Sequence, residues 1–405
     1  MPASHFAFCI LHFAFCIAFL SSHSSAASTD EKWTLTTADF HSEAVILKGF
    51  DSSGVKVAAA LDADVKTIPA DRFLDVSRPL PAAPAVGKYV LHLTGGDRLS
   101  GMPVTLKADS LVWTNPQVGQ IEIPSSRLVA ITPPLVQTVP EQKHEDVVSL
   151  ANGDTVRGIV ASMSGDKVTV QTSAGNTDVP LSAMASVSFA ATPGGNKALH
   201  GYRVRLDDGS SLVGSAAKLD GKNLVLTLGK NADRKIALGH VASIEQVNGP
   251  VSWLSSRAPS QSVYYPFIGP PQQPAAYMDR QWLGRGPIEF KGQSFPHGIG
   301  VHAYSRLTWL LDGKYAAFRT RYAVEGDSSL ADVTVRVILD DKVVHEQKNV
   351  RAGALSPVIL QDLKGGKTLT LEVDGGSAYA QDALDWISPA LLEHMPPPTT
   401  QPASD

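Results

Sequence analysis

Two histidines and two carboxylates near the C-terminus are the residues whose types and spacing could do chemistry. His297 and His302 lie close together among glycines, and Asp382 and Asp385 follow much later in the chain. A structural or catalytic metal site needs three or more well-spaced ligands, and no third one stands near the histidine pair. We therefore expect the histidines to be structural or to contact a sugar hydroxyl, and we predict no metal at them.

The two aspartates are the nearest approach to a paired carboxylate. A glycosidase needs two carboxyl groups at a defined separation across the scissile bond, and no second acidic motif accompanies Asp382 and Asp385. The nucleophile elbow, the P-loop and the dinucleotide fingerprint are also missing from the sequence. The pattern favours a structural role, with a structural calcium near Glu325 and Asp327 as the one cofactor considered. We predict that the chain is not an enzyme, the alternative being a hydrolase with an unrecognised site.

Aromatic and polar side chains around these motifs could bind a sugar ring. Aromatic faces pair with the apolar face of a pyranoside, although burial in a core is the default for tryptophan. Trp309 lies in an apolar run and is predicted to be core, whereas Trp282 and Trp386 are candidates for stacking. Tyr304 and Arg306 could bind hydroxyl groups or could simply be exposed strand residues.

The segments that must position these residues have the pattern of short β-strands. Residues 331–339 alternate apolar and polar side chains, and residues 307–311 form another apolar run. Alternation with a period of two indicates strands that are buried on one face. Several such strands at regular spacing predict a β-sandwich.

Several of these motifs, in this order, resemble the NPCBM family of carbohydrate-binding modules. They are FPHGIGVHA at residues 295–303, the strand pattern after it, and DALDW at residues 382–386. The resemblance covers residues 250–393 and implies a galactose-binding-like jelly-roll β-sandwich on a secreted protein. It implies glycan binding, and we take as candidate carbohydrate-binding residues Trp282, His297, His302, Tyr304, Arg306, Asp385 and Trp386.

The chain departs from the family pattern in two places that bear on the sugar site. Ala383 stands where the family often has histidine, and residues 323–327 read AVEGD where the family usually has Gly-(Ile/Val)-Asp-Asp. These changes leave the fold prediction intact. They weaken the inherited sugar site and support an alternative in which the sandwich no longer binds sugar.

The sequence before the sandwich is repetitive. Gly96, Gly153 and Gly209 recur at near-constant spacing within similar strand-turn-strand patterns, which is the signature of a repeat architecture. Each unit predicts four or five short strands, hence a small SH3-like or Sm-like barrel, with one propeller blade per unit as the rival geometry. Asp97 and Asp154 follow the turn glycines and are interpreted as turn residues.

The fold class predicted is therefore all-β, with tandem small β-barrel-like repeats followed by a C-terminal jelly-roll β-sandwich. The predicted divisions begin with a signal peptide at residues 1–27 and a degenerate repeat at residues 30–78. Three further repeats follow at residues 88–133, 145–190 and 201–248. The sandwich takes residues 250–393, and a disordered tail takes residues 394–405.

Charge and cysteine content limit which partners and which cellular compartment we expect for this protein. With 35 basic and 39 acidic residues the net charge is −4, and no basic stripe indicates nucleic-acid binding. Both cysteines, Cys9 and Cys16, lie in an apolar run followed by small polar residues, which is typical of a secretory signal peptide. An uncleaved anchor is the alternative, and no transmembrane segment is predicted in the mature chain.

Together these features predict a secreted or periplasmic, non-catalytic carbohydrate-binding protein whose repeats act as a scaffold. Its expected partner is a glycan or polysaccharide. The alternative is a structural or interaction protein of the cell envelope, in which the sandwich has lost sugar binding and the repeats contact other envelope proteins.

Overall fold

The computed structural model describes most of the chain after the apolar N-terminal run. The described residues are 32–80, 87–107, 109–134, 144–164, 166–191, 200–229, 232–269, 271, 273–327, 329–376 and 381–396. Within them every regular element is a β-strand or a short 3-10 turn, which confirms the all-β prediction. No helix in this part of the chain could span a membrane. The predicted signal peptide at 1–27 and most of the predicted tail lie outside the described residues.

Four repeats of five strands each, the second strand of the last being divided, form the N-terminal part. The first two contain β1 (Lys32–Thr37), β2 (Ser42–Asp51), β3 (Gly54–Ala58), β4 (Lys66–Pro69), β5 (Phe73–Ser77), β6 (Tyr89–Leu93), β7 (Arg98–Lys107), β8 (Ser110–Asn115), β9 (Gly119–Pro124) and β10 (Leu128–Thr132). The last two contain β11 (Asp146–Leu150), β12 (Thr155–Ser164), β13 (Lys167–Thr172), β14 (Gly175–Pro180), β15 (Met184–Ser188), β16 (Gly201–Leu206), β17 (Ser211–Gly214), β18 (Ala216–Asp220), β19 (Asn223–Thr227), β20 (Asp233–Ala237) and β21 (Val241–Val247).

The two glycines of the repeated motif have different structural roles. Gly153 and Gly209 have φ of 92° and 79° and make the turn between the first two strands, a conformation that side chains other than glycine adopt with strain. Gly158, with φ of 154°, lies in the second strand, where an added Cβ would collide with the carbonyl oxygen of Gln171 on the next strand. The second glycine therefore lets the long strand bend and pair on both of its halves.

The closing strand of each repeat pairs both with its own first strand and with another closing strand. β5 pairs with β21, and β10 pairs with β15. These pairings join the first repeat to the fourth and the second to the third, and contacts from β7 to β12 and β17 unite them in one 18-stranded sheet. A single cluster of buried side chains runs through all four repeats. The type of each repeat, an SH3-like or Sm-like barrel or one propeller blade, stays a prediction.

Asp97 is not the turn residue that the sequence suggested. Its side chain is 2% exposed, and its Oδ2 accepts hydrogen bonds from Arg127 at 2.8 Å and from the Val213 amide at 3.2 Å. Because Val213 belongs to the fourth repeat, this carboxylate joins two repeats. Asp154, by contrast, is exposed, and its carboxylate accepts a hydrogen bond from the Asn152 side chain two residues away.

The C-terminal part is the predicted β-sandwich. Its strands are β22 (Val251–Trp253), β23 (Gln261–Tyr264), β24 (Tyr277–Met278), β25 (Ile288–Phe290), β26 (Gln293–Phe295), β27 (Gly298–His302), β28 (Ser305–Leu310), β29 (Ala317–Val324), β30 (Val333–Leu339), β31 (Lys342–Val350), β32 (Ile359–Asp362), β33 (Thr368–Gly375) and β34 (Ala383–Leu392). One sheet has the order β24-β27-β34-β29-β32 with β22 beside β34, and the other has the order β23-β28-β33-β30-β31. Buried side chains from both sheets, among them Trp309 and Trp386, fill the space between them.

The repeats and the sandwich meet through an apolar cluster and a buried ion pair. Leu74 of the first repeat packs with Val251, Ala317 and Leu392 of the sandwich. Beside them His297 Nε2 lies 2.6 Å from Glu245 Oε1, and the His297 ring stacks on Trp253 at 4.4 Å.

Charges of both signs stabilise this junction. Glu245 also accepts hydrogen bonds from Arg205 and from Trp253 Nε1, each at 2.9 Å. Burial by itself would lower the pKa of His297, but Glu245 and Asp279 raise it above the usual value. Burial by itself would raise the pKa of Glu245, but His297 and Arg205 lower it well below its usual range. His297 is therefore a cation here and Glu245 an anion.

Removing the cation should destabilise the protein strongly. We expect His297→Ala to lower the free energy of unfolding by about 3 kcal/mol, because Glu245 would keep a buried charge without its closest partner. The measurement is urea unfolding at pH 5.5 to 6. The stabilisation from His297 is complete below about pH 6.5, where the unfolded histidine is also charged, and is lost as the pH rises through the raised folded pKa. The stabilisation from Glu245 is complete above about pH 4.5 and is lost on acidification through its lowered folded pKa.

His240→Ala is the matched control for this measurement. His240 lies 2.9 Å from Asp207, but its side chain is 47% exposed, so its removal should cost about 1 kcal/mol or less. Equal losses in the two variants would contradict the role given to the buried pair.

Candidate functional site

A cavity of about 640 Å³ opens at one end of the sandwich. Four segments meet there: the 3-10 turn Trp282–Gly284, the end of β27, the loop after β29 and the start of β34. They supply the lining side chains, which include Gln281, Trp282, Arg285, His302, Glu325, Asp327, Gln381 and Ala383. The wall is thus mixed, with one large aromatic side chain and several groups that can donate or accept hydrogen bonds.

Glycines in β27 bring the Trp282 segment against the sheet. Gly300 donates a hydrogen bond from its amide to the Arg280 carbonyl at 3.0 Å. A Cβ added at Gly300 would collide with that oxygen and would lie 2.5 Å from the Trp282 amide nitrogen. The glycine in the HGIGVH motif is therefore needed for close backbone approach, and this approach places Trp282 beside His302.

Trp282 is held inside an aromatic cluster. Its ring lies 5.1 Å from Tyr264, 5.3 Å from Tyr277 and 5.6 Å from His302, measured between centroids. Only 5% of the residue is exposed, so Trp282 offers the cavity little of its surface. The cluster makes this wall rigid.

Two neighbouring carboxyl groups support this wall, Glu325 in the cavity lining and Asp385 buried behind it. The raised pKa of Asp385 lets the pair share a proton. Glu325 Oε1 accepts the Trp282 amide at 2.5 Å, and Asp385 Oδ2 accepts from Gln281 Nε2 at 3.3 Å. Burial, and then the neighbouring Glu325, raise the pKa of Asp385 to about 8. Burial also raises the pKa of Glu325. The pair therefore fixes the positions of Gln281 and Trp282 while carrying less than two negative charges near neutral pH.

Five of the seven predicted site residues lie in or around the cavity or on the outer sheet. Trp282 and His302 line the cavity, and Asp385 is 1% exposed just behind it. Tyr304 and Arg306 lie on the outer side of the other sheet, both near Glu372.

His297 and Trp386 lie elsewhere and are reassigned. His297 is 1% exposed and belongs to the junction with the repeats, and Trp386 is completely buried in the sandwich core, where its ring packs edge-on against Tyr322. Neither side chain reaches the cavity, so neither is placed to contact a ligand there.

Sequence reasoning missed several cavity residues. Gln281 and Arg285 flank the Trp282 turn, and Gln381 precedes the late aspartate motif. The departures from the family pattern could have identified further cavity residues, because Glu325 and Asp327 lie in one of the segments that departs. Ala383, the other departure, also lines the cavity, opposite His302 in the pairing of β27 with β34.

The aspartates predicted as a structural or calcium-holding pair act separately. Asp382 Oδ1 accepts the Asp332 amide at 3.0 Å, whereas Asp385 is paired with Glu325. Among the residues that the structure describes, no group of three or more histidine, cysteine, aspartate or glutamate side chains is arranged to hold a metal ion.

Fold and site together describe the C-terminal part as a β-sandwich with a cavity at one end. It is an NPCBM/NEW2 domain: the model of that family matches residues 251–392. This match confirms the resemblance seen in the motifs.

Comparisons with individual proteins give more distant similarities. A protein of Renibacterium salmoninarum with the provisional name endo-alpha-N-acetylgalactosaminidase is 24% identical over 202 residues, which is 42% of this chain and 13% of that protein. The chain thus spans only a small part of this relative.

Two solved structures illustrate the similarity to other modules. CBM51 from Clostridium perfringens GH95, in complex with methyl-galactose, is 22% identical, covers 35% of this chain and 99% of its own, and has a TM-score of 0.30. The tandem CBM51 modules of Sp3GH98, a family 98 glycoside hydrolase from Streptococcus pneumoniae, are 12% identical with 89% and 88% coverage and a TM-score of 0.31.

Filling the space at Gly300 should disturb the Trp282 wall. We expect Gly300→Ala to lower the free energy of unfolding by about 1–3 kcal/mol, since the new methyl group must push backbone atoms apart. Urea unfolding measures the effect. Gly286→Ala is the control, because a Cβ there would meet only Gln281 Oε1, at 3.9 Å. A loss at Gly300 no larger than at Gly286 would refute the close-approach argument.

The shared proton predicts a pH dependence of stability. The folded pKa of Asp385 lies above its unfolded value, so the folded state keeps a proton that the unfolded chain releases, and stability falls as the pH rises from about 4 to 8. Asp385→Asn cannot ionise, so its melting temperature should fall less than that of the wild type between pH 5 and pH 8, by a few degrees. Calorimetric melting across this range is the test, and Asp327→Asn on the exposed cavity rim should keep the wild-type slope. Parallel curves for wild type and Asp385→Asn would count against the shared proton.

Proposed function

We propose that the chain is a secreted, non-catalytic carbohydrate-binding protein whose NPCBM/NEW2 domain binds a glycan in the cavity beside Trp282. The observation that carries the proposal is the meeting of the Trp282 aromatic wall with Gln281, Arg285 and His302 in one cavity. Sugar sites combine an apolar ring surface with a few directed hydrogen-bonding groups.

The polar groups around the cavity suit neutral hydroxyls. The Nδ1 of His302 lies 2.6 Å from the Ala303 carbonyl, so Nδ1 donates its proton to that oxygen. Gln281 is oriented by its hydrogen bond to Asp385. Arg285 adds donors at the mouth. Such a set of fixed donors and acceptors recognises a polyol without a ligand charge.

The carboxyl pair supports a binding role rather than hydrolysis. A retaining or inverting glycosidase needs both carboxyl groups in contact with the substrate or its water. Asp385 is 1% exposed and shares its proton with Glu325, so it acts on the wall and not on a bound sugar. The glycosidase name of the Renibacterium relative belongs to a protein of which this chain spans 13%.

Secretion and the role of the repeats are part of the proposal. The support for secretion is the apolar run that contains Cys9 and Cys16, with cleavage after a predicted signal peptide at residues 1–27. The repeats contact the sandwich through buried groups, and this supports a scaffold that holds the binding module, with envelope proteins as further partners.

One observation favours the second candidate, an envelope scaffold whose sandwich has lost sugar binding. Ala383 leaves the cavity wall without the histidine that the family often has there, and Trp282 presents little of its surface. A domain with this geometry would keep its fold and its contacts without a ligand.

Glycan binding is tested on the full chain with a glycan array, followed by calorimetry on the bound sugars. We expect saturable binding that His302→Ala weakens about tenfold, because one hydrogen-bonding group at a desolvated site contributes about 1.4 kcal/mol. His345→Ala, in the same domain but outside the cavity lining, should bind as the wild type. Folded protein that binds no glycan would favour the envelope scaffold.

A further inference from the structure

We propose that the glycan site continues from the cavity onto the outer sheet, across a tyrosine platform formed by Tyr265 and Tyr304 with Arg306 beside it. The ligand would then be a chain of sugar residues, with one residue in the cavity and the next on the platform. This inference rests on the proposed function and extends it to a class of ligand.

The platform is an ordered pair of aromatic rings. The Tyr265 amide donates to the Tyr304 carbonyl at 3.0 Å, and the two rings lie 5.8 Å apart with their planes tilted by 31°. Tyr265 is nevertheless 64% exposed. A large ring that lies against Tyr304 and is left open to solvent is suited to stacking on a sugar ring.

The polar groups beside the rings make only long contacts with their neighbours. The Tyr304 hydroxyl lies 3.5 Å from Glu372 Oε2, and Arg306 lies 3.6 Å from the same oxygen. Both contacts are long for hydrogen bonds, so a hydroxyl group or a water molecule can bridge them. Glu372 itself is fixed by Arg336 at 2.7 Å, which leaves it as a preset acceptor.

The platform is continuous with the cavity along two strands. Tyr264, the residue before Tyr265, contacts both Trp282 and His302 of the cavity cluster. Tyr304 follows His302 by two residues, so their Cα atoms are at most about 7 Å apart. One strand end thus presents Tyr264 to the cavity cluster and Tyr265 to the outer sheet.

The charges around the platform favour a neutral occupant. The three cations Arg306, Arg336 and Lys348 are matched by the three carboxylates of Glu372, Glu346 and Asp374 within the same sheet. Since these charges neutralise one another, the surface has no excess charge with which to attract an anionic or a cationic polymer. Ring stacking and hydrogen bonds to hydroxyls are what remains, and an uncharged oligosaccharide offers both.

The test compares ligands of increasing length on the full chain. Galactose, N-acetylglucosamine and their oligosaccharides of two to four residues are titrated by calorimetry. We expect affinity to rise from the monosaccharide to the longer chains, and Tyr265→Ala to weaken the longer chains about fivefold while leaving the monosaccharide unchanged. Tyr265→Phe should retain the gain with length. Leu310→Ala, which removes another exposed apolar side chain from the same sheet, should match the wild type.

The outcomes separate this inference from the proposed function. Monosaccharide binding that is lost in His302→Ala, without any gain from length or any effect of Tyr265→Ala, would overturn the platform and leave the cavity site standing. An absence of binding to every ligand of the series by folded protein would overturn both.

Discussion

The buried ion pair between Glu245 and His297 is the constraint on which the arrangement of the two parts depends. Glu245 lies in β21, the last strand of the repeats, and His297 stands directly before β27 of the sandwich. Each charge is the closest ionic partner of the other, and Arg205 and Asp279 add weaker support on either side. Losing the closest partner of a buried ion costs several kcal/mol. The pairing therefore requires the repeats and the sandwich to stay in contact. Since β27 runs from this junction to His302, the cavity lies at the other end of the same strand.

One short motif thus supplies residues to both the junction and the cavity, at the two ends of β27. In HGIGVH the first histidine secures the junction, Gly300 allows the Trp282 segment to approach, and the second histidine reaches the cavity. The two histidines have the same chemistry and different roles because of what faces them: two carboxylates at His297, and an aromatic cluster at His302. Position along the strand, rather than residue type, decides which of them can meet a ligand.

The sequence was sufficient to predict the all-β fold and the sandwich, because ordered motifs and alternating strands depend on local pattern. The sequence could not show that Asp385 lies beside the cavity whereas Trp386 lies in the sandwich core. On β34 successive side chains point to opposite faces, but residues 383–387 are all buried, so the strand carries no polar alternation to mark which face is which. The prediction that Asp97 is a turn residue was wrong for a related reason, since its partner Val213 comes from another repeat. Local pattern reports turns and strands, and contacts between distant segments decide what those turns touch.

The departures from the family pattern lie at the cavity and not in the core. Trp309 and Trp386 fill the sandwich interior, whereas Ala383, Glu325 and Asp327 line the cavity. Glu325 replaces a shorter side chain in that pattern and reaches the Trp282 amide, so the change rebuilds the wall as well as altering its surface. Its buried partner Asp385 keeps the rebuilt wall from carrying two charges. The lining combines the aromatic Trp282 with polar groups and with the charged Arg285 and Asp327. Its selectivity would follow from this arrangement and from the space left open at Ala383.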